Sequence, residues 1–290
     1  MEKWGDKPYH SLDYENKKRF GEKVYKISLA GGTTCPNRDG TLGTRGCCFC
    51  SGSGSGDFAA TKGSITEQIE EAIARVSRYK NAGHHFTAYF QSFTATYAPV
   101  ETLRAAWEEA MAHESVATLA IATRPDCLGD DVLSLLADCC RKMPVTVELG
   151  LQTIHPDTIR YIRRGYPNSV YETAVKNLKN IGVNVVTHVI AGLPGETKEN
   201  FLDTVRYVAD IGSDGIKLQL LHVLKGTDLA LDYENKMFRT LTPDEYLDYI
   251  TEALSILPPD MVIHRVTGDG PKDLLIAPLW SANKRMVLNS

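Results

Sequence analysis

Residues 116–122 read Val-Ala-Thr-Leu-Ala-Ile-Ala. The run is too short for an independent helix, too apolar for a loop and rich in β-branched residues. It reads as a strand buried on both faces, the kind found inside a parallel sheet. Working outward, the same unit recurs. Upstream, residues 84–92 read as a strand, and Pro99 opens a helix reaching about His113. Downstream, a helix near 130–142 leads to a strand from Pro144 to Leu151, and helical segments fill 155–181. Val183 to Ile190 is the next strand, followed by a helix near 197–211 and a strand from Gly215 to Leu221. At the front, residues 23–30 alternate polar and apolar like a first strand, and Gly31 to Gly63 is a long Gly-, Ser- and Thr-rich loop. Ser64 and Glu67 have the spacing of a capping box, with Ile69, Ile73 and Val76 at helical spacing behind them. Thr-Pro-Asp-Glu opens a last helix over 242–257.

Six alternating strand–helix units predict an α/β fold with a parallel sheet and right-handed crossovers. A closed barrel needs about eight units. Six therefore predict an open, partial (β/α)6 TIM-like barrel over 23–257, with small extensions at 1–22 and 258–290, the latter packing on the barrel. A doubly wound flat sheet is the alternative. Either way, ligands belong at the carboxyl ends of the strands.

The 290 residues are 43% hydrophobic, enough for one large core. A net charge of −4 argues against nonspecific coating of nucleic acid but allows a local basic patch. Residues 16–26 hold five cations and one anion; a solvated face is the ordinary reading. No apolar run approaches about 18 residues, so no membrane span is expected. Met1-Glu-Lys-Trp-Gly-Asp carries no apolar signal core, so the expected location is cytoplasmic. Seven cysteines in such a chain point to metal or redox chemistry before disulfides. Cys139 and Cys140 lie in an apolar helical segment and read as core.

Four of the others cluster in Cys35-Pro-Asn-Arg-Asp-Gly-Thr-Leu-Gly-Thr-Arg-Gly-Cys47-Cys48-Phe49-Cys50, directly after the first strand, and Cys127 stands apart after a loop motif. Cys47 and Cys50 have the gap that lets two sulfurs reach one metal centre, and glycines at 40, 43 and 46 let the loop return Cys35 to them. Thiolates suit soft metals and Fe–S clusters. A structural zinc site is the alternative, with Cys48, His84 or His188 as a fourth ligand.

Cys-x-Phe-Cys at 47–50 resembles the second half of the radical S-adenosylmethionine (SAM) signature, although the first cysteine stands eleven residues earlier rather than three. Cys-Pro-Asn-Arg-Asp-Gly-Thr with a late Cys-x-Phe-Cys resembles the YtqA/YhcC-like branch, related to the elongator catalytic subunit. The resemblance spans nearly the whole chain. It implies a [4Fe-4S] cluster on Cys35, Cys47 and Cys50, with SAM on the open iron and Phe49 near the adenine. Cys48 departs from the pattern and reads as a spare thiol.

The later strand ends fit the same resemblance. Gln91 and Ser92 match the position that meets the SAM amino group. Thr123-Arg124-Pro125-Asp126 is shared with the elongator-like branch, with Asp126 in a turn or paired with Arg124. Glu148, Gly150 and Gln152 fall on one strand face. With Arg163-Arg164-Gly165-Tyr166 they resemble the family's Glu-x-Gly-x-Gln and Arg-Gly-Tyr strings. The resemblance assigns the SAM carboxylate to Arg164 and makes Glu148 and Gln152 contacts to SAM or substrate; the bland reading of Arg163 is a surface cation. His188 is a core histidine or a substrate contact, and Gly-Leu-Pro-Gly-Glu-Thr follows at 192–197. Strings specific to the branch add His222, Lys225, Arg265 and Lys284 as candidate substrate contacts.

The implied activity is reductive cleavage of SAM to a 5′-deoxyadenosyl radical that takes hydrogen from an unactivated C–H bond, fed by a donor such as flavodoxin or ferredoxin. The branch further implies a tRNA partner, with remodelling of the 5-carboxymethylaminomethyl side chain of the wobble uridine. The basic stretch at 16–26 and Lys284-Arg285 would then meet phosphates. A radical SAM oxidoreductase on a small molecule is the second enzyme reading; a zinc-stapled RNA-binding module is the non-enzyme one. His222, Cys48, Cys127 and Tyr97 are candidates to quench the substrate radical.

Overall fold

The computed structural model describes residues 4–54, 59, 63–268 and 270–283. All six expected strands are present: β1 (Tyr25–Leu29), β2 (Phe86–Phe90), β3 (Val116–Thr123), β4 (Val145–Gln152), β5 (Asn184–Ala191) and β6 (Gly215–Leu220). A seventh, β8 (Val262–Arg265), pairs parallel with β6 in residues the sequence reading left to a C-terminal extension. The sheet order is β1-β2-β3-β4-β5-β6-β8, every neighbour parallel, curled into a half-barrel. The strict order is that of a partial barrel; a doubly wound sheet would reverse direction at a switch point.

Helices α2 (Ile65–Ser77), α3 (Val100–Ala112), α4 (Asp130–Cys140), α5 (Pro156–Tyr161), α6 (Asn168–Asn180), α7 (Lys198–Asp210) and α9 (Pro243–Ile256) cover the convex face. Capping boxes start three of them, at Ser64 with Glu67, Thr197 with Asn200, and Thr242 with Glu245. Alternation divides each strand between two environments. On β4, Val145, Val147, Leu149 and Leu151 join the core beneath the helices, while Glu148 and Gly150 face the concave side. Each fully buried Val or Leu contributes about 1.5–3 kcal/mol, so the helix-side face holds the sheet. The concave face is thereby free to carry polar groups.

Four more elements escaped the sequence reading. Helix α1 (Leu12–Phe20) starts from the Ser11 cap and buries no residue. Its leading segment closes the β8 edge: Ser11 bridges Ile263, and the Ile263 amide donates to the His10 carbonyl at 2.7 Å. A short antiparallel pair, β7 (Val223–Leu224) with β9 (Leu275–Ala277), and helix α8 (Asp228–Glu234) form a second small core with Cys48, Ile162 and Leu193.

Candidate active site

The loop after β1 folds back on itself. Amides of Arg38 and Leu42 donate to the Cys35 and Pro36 carbonyls at 2.8 Å each, and Gly46 donates to the Asn37 carbonyl at 2.8 Å. Gly46 has φ +72°, and an added Cβ would stand 3.0 Å from the Arg38 guanidinium, so a side chain there would be strained and crowd that arginine. The eleven residues between Cys35 and Cys47 thus form a compact excursion that returns Cys47 to Asn37, whose amide lies 3.5 Å from the Cys47 sulfur. Two arginines fix the excursion. Arg38 donates to the Ser51 carbonyl at 2.5 Å, and Arg163 to the Gly46 carbonyl at 2.8 Å while pairing with Asp228 at 2.6 Å. Arg163, read as a surface cation, is a tie for the cysteine loop.

Cys47 and Cys50 share a hydrogen bond, which draws the Cys47 thiol down to about 6 and helps hold Cys50 well above its usual range. Arg124 and Arg163 also favour the Cys47 thiolate, and Cys35 is close enough to oppose ionisation of Cys50. Three thiols in a cationic setting fit the donor set of a four-iron cluster with one open iron. Among the described residues no three His, Cys, Asp or Glu side chains gather tightly enough for a single metal ion, the arrangement a zinc site needs. Cys48 turns into the second core, and burial pushes its thiol up to about 12.

Phe49 and Cys50 stand on the wall of a cavity of about 1090 Å³ that opens at the carboxyl ends of the strands. Gln91 and Arg124 line it near the rim, and Asp126 grips Arg124 through two bonds of 2.9 and 2.7 Å. The deepest feature is Glu148, 1% exposed. It pairs with both Lys26 and Lys217, accepts from the Tyr89 hydroxyl at 2.7 Å and lies 2.8 Å from His188 Nε2. Burial opposes its charge, yet Lys217 and Lys26 overcome this and hold the carboxyl well below its usual range. Burial, against the pull of Glu148, lowers Lys217 to about 7, and burial with the Lys217 charge lowers His188 to about 4. His188 is therefore neutral at pH 7, with Gln219 3.0 Å from its Nδ1.

The remaining expected site residues are dispersed. Ser92 is buried behind the wall, its carbonyl accepting from Thr33 at 3.1 Å. Gln152 sits at a register shift with φ +63° and is not on the wall. His222 lines the cavity, 3.1 Å from the Ser281 hydroxyl, and Arg265 lines it as well. Lys225 borders a separate hollow of about 270 Å³. Lys284, Arg285 and the rest of the tail lie outside the described residues. Arg164 requires a correction. It is 1% exposed, and its guanidinium donates to the carbonyls of Leu151, Thr153 and Tyr166 and to the Asn168 side chain. No nitrogen remains for a SAM carboxylate; the guanidinium groups on the cavity wall are those of Arg124 and Arg265. Lys26, Tyr89 and Lys217 were missed, although Lys217 interrupts an apolar strand much as Glu148 does.

Residues 21–208 match the Radical SAM superfamily and 213–290 the Radical SAM C-terminal domain. The chain belongs to the radical SAM superfamily. It is 43% identical to the YtqA protein of Bacillus subtilis (98% of this chain, 88% of that one) and 37% identical to YhcC of Escherichia coli K12 (92% and 85%). These relatives place this radical SAM enzyme in the YtqA/YhcC branch. A tRNA uridine(34) acetyltransferase of Methanocaldococcus jannaschii is 27% identical over 60% of this chain and 32% of its own. Among solved structures, an Elp3 of Methanocaldococcus infernus shares the fold at TM-score 0.66 and 19% identity, covering 87% of this chain and 58% of that one. As in other radical SAM enzymes, the cofactors are a [4Fe-4S] cluster and SAM. Among the described residues no helix is long and apolar enough to cross a membrane.

Proposed function

We propose that this radical SAM enzyme acts on tRNA, remodelling the 5-carboxymethylaminomethyl side chain of the wobble uridine towards aminomethyl. The observation that carries the reading is the cavity itself. At about 1090 Å³ it exceeds the usual room for one small ligand, and its wall is polar and cationic below the cysteines. SAM and a flipped-out nucleoside fit that description together. The similarity to a tRNA uridine(34) acetyltransferase supports the choice of substrate.

Held by Cys35, Cys47 and Cys50, the cluster with SAM supplies a radical able to take hydrogen from an unactivated C–H bond. The chain's own residues then position and shield. Phe49 presents a flat apolar face beside Cys50, where an adenine can stack. Gln91 offers an amide at the rim, and Arg124, locked by Asp126, a fixed guanidinium. Exposed Lys17, Lys18 and Arg19 on α1 suit backbone phosphates, while a flavodoxin or ferredoxin supplies electrons.

Nucleoside analysis of bulk tRNA from a strain lacking this enzyme tests the reading. Accumulation of 5-carboxymethylaminomethyluridine is expected. Unchanged nucleosides, from a strain whose purified enzyme still cleaves SAM, would overturn it and favour a small-molecule substrate.

A further inference from the structure

The concave face carries more positive charge than its own carboxylate can balance. Gly150, His188, Lys217 and Arg265 are register partners across the four adjacent strands β4, β5, β6 and β8, so they form one row across the cavity. Lys26 reaches the same place from β1, and both lysines lie over the Tyr89 ring, at 4.9 and 4.8 Å. Among the described residues, the one acidic side chain on this wall is Glu148. It binds both lysines, and Arg265 has no ion pair among the described residues. His188 and His264 are held neutral by burial and by these cations.

Collecting like charges in a poorly solvated wall costs free energy unless an anion joins them. Lys217 is almost closed off from water, its side chain 5% exposed, whereas that of Lys26 is 23% exposed and Arg265 is exposed to the cavity. One carboxylate among three cations leaves room for a second anion on the open side.

We propose that Lys26, Lys217 and Arg265 form a receptor for a substrate carboxylate at the cavity floor, with Glu148 as the fixed counter-charge that holds the two lysines in place. The inference rests on the wobble-uridine reading only for what bears the carboxylate: there it is the carboxymethyl end of the uridine side chain. Depth favours this source over a nucleic-acid phosphate. The row lies within the strands, below Gln91 and Arg124 at the rim, where a side chain reaches and a polynucleotide backbone does not.

The test is calorimetric titration of the reconstituted holoenzyme with four probes: 5-carboxymethylaminomethyluridine, its methyl ester, N-benzylglycine and inorganic phosphate. The free acid should bind about tenfold or more tighter than the ester, since only the acid makes charge-assisted bonds. Arg265→Gln, which leaves the buried Glu148 pairs intact, should remove most of that preference; Lys26→Met should do so with its melting temperature checked in parallel. Equal binding of acid and ester, a preference unchanged in both variants, or phosphate binding as tightly as the carboxylates would each overturn the proposal. If neither uridine binds but N-benzylglycine does, in an Arg265-dependent way, the receptor stands and the wobble-uridine reading falls.

Discussion

Replacing Glu148 by Gln removes the carboxylate and keeps the shape. Tyr89 and His188 retain a polar neighbour, but two ammonium groups lose their counter-charge. Breaking a buried pair in this way costs about 3–5 kcal/mol. Two features set the loss at the lower end, about 3 kcal/mol, in mild alkali. Lys26 is 23% exposed and can turn towards water, and Lys217 can shed its proton. The pH dependence follows from Lys217, which burial lowers to about 7 in the fold from its ordinary 10.5. The unfolded chain binds that proton first, so stability rises with pH between those values. In Glu148→Gln the folded value falls further, so below pH 7 the variant alone keeps losing stability. The gap to the native protein should widen there by up to about 1.4 kcal/mol per pH unit. Urea unfolding followed by circular dichroism at pH 8 and pH 6 measures both quantities. A variant with the native midpoint, or a gap of equal size at the two pH values, would show that the Lys–Glu cluster is not the buried, coupled unit described.

Arg164→Ala strands several buried carbonyls and should cost about 3 kcal/mol or more; SAM affinity of the folded fraction, measured by equilibrium dialysis, should stay native. A selective loss of SAM binding with native stability would restore the carboxylate role to Arg164. Cys50→Ala should abolish iron uptake and 5′-deoxyadenosine formation on anaerobic reconstitution, whereas Cys48→Ala should keep native iron content and lose only about 1 kcal/mol of stability. Iron analysis and urea titration of the two variants decide between a ligand and a core thiol. Arg163→Ala frees the Gly46 carbonyl and leaves Asp228 only its longer pair with Arg45 at 3.6 Å, so the cysteine loop should become sensitive to limited proteolysis before reconstitution and take up less iron. Native proteolysis kinetics would show that Arg38 and the loop's own hydrogen bonds suffice.

What the sequence made legible was whatever local periodicity records. The six principal strands, the long loop after the first and the boxes at Ser64 and Thr242 all appeared where alternation and capping residues placed them. The cysteine spacing also announced its chemistry, because few residue types bind soft metals. Helix α1 stayed hidden because it buries no residue and has no apolar stripe. Strand β8 is four residues long, too short for a pattern, and owes its place to pairing with β6 and with the His10–Ser11 segment. The floor of the cavity was half visible. Glu148 drew attention as a charge inside a strand, but its partners come from β1, β2, β5 and β6, and only the register of the sheet brings them together. Arg163 and Arg164 were indistinguishable in sequence. The chain turns sharply there, with φ +57° at Arg163, and sends one side chain to the cysteine loop and the other into the interior.

The seal between His10–Ser11 and Ile263 has a consequence for the order in which the molecule is made. Its two halves stand about 250 residues apart in sequence, so it can form only after most of the barrel has been synthesised. Such long-range closures are slow because a large loop must be ordered first. Until then the β6 side of the sheet is an exposed parallel edge, a surface prone to wrong pairing. The cysteine loop and most of the concave wall are synthesised well before that seam can shut. During this interval the outer edge of β8 lacks the His10–Ser11 segment that covers it in the finished enzyme.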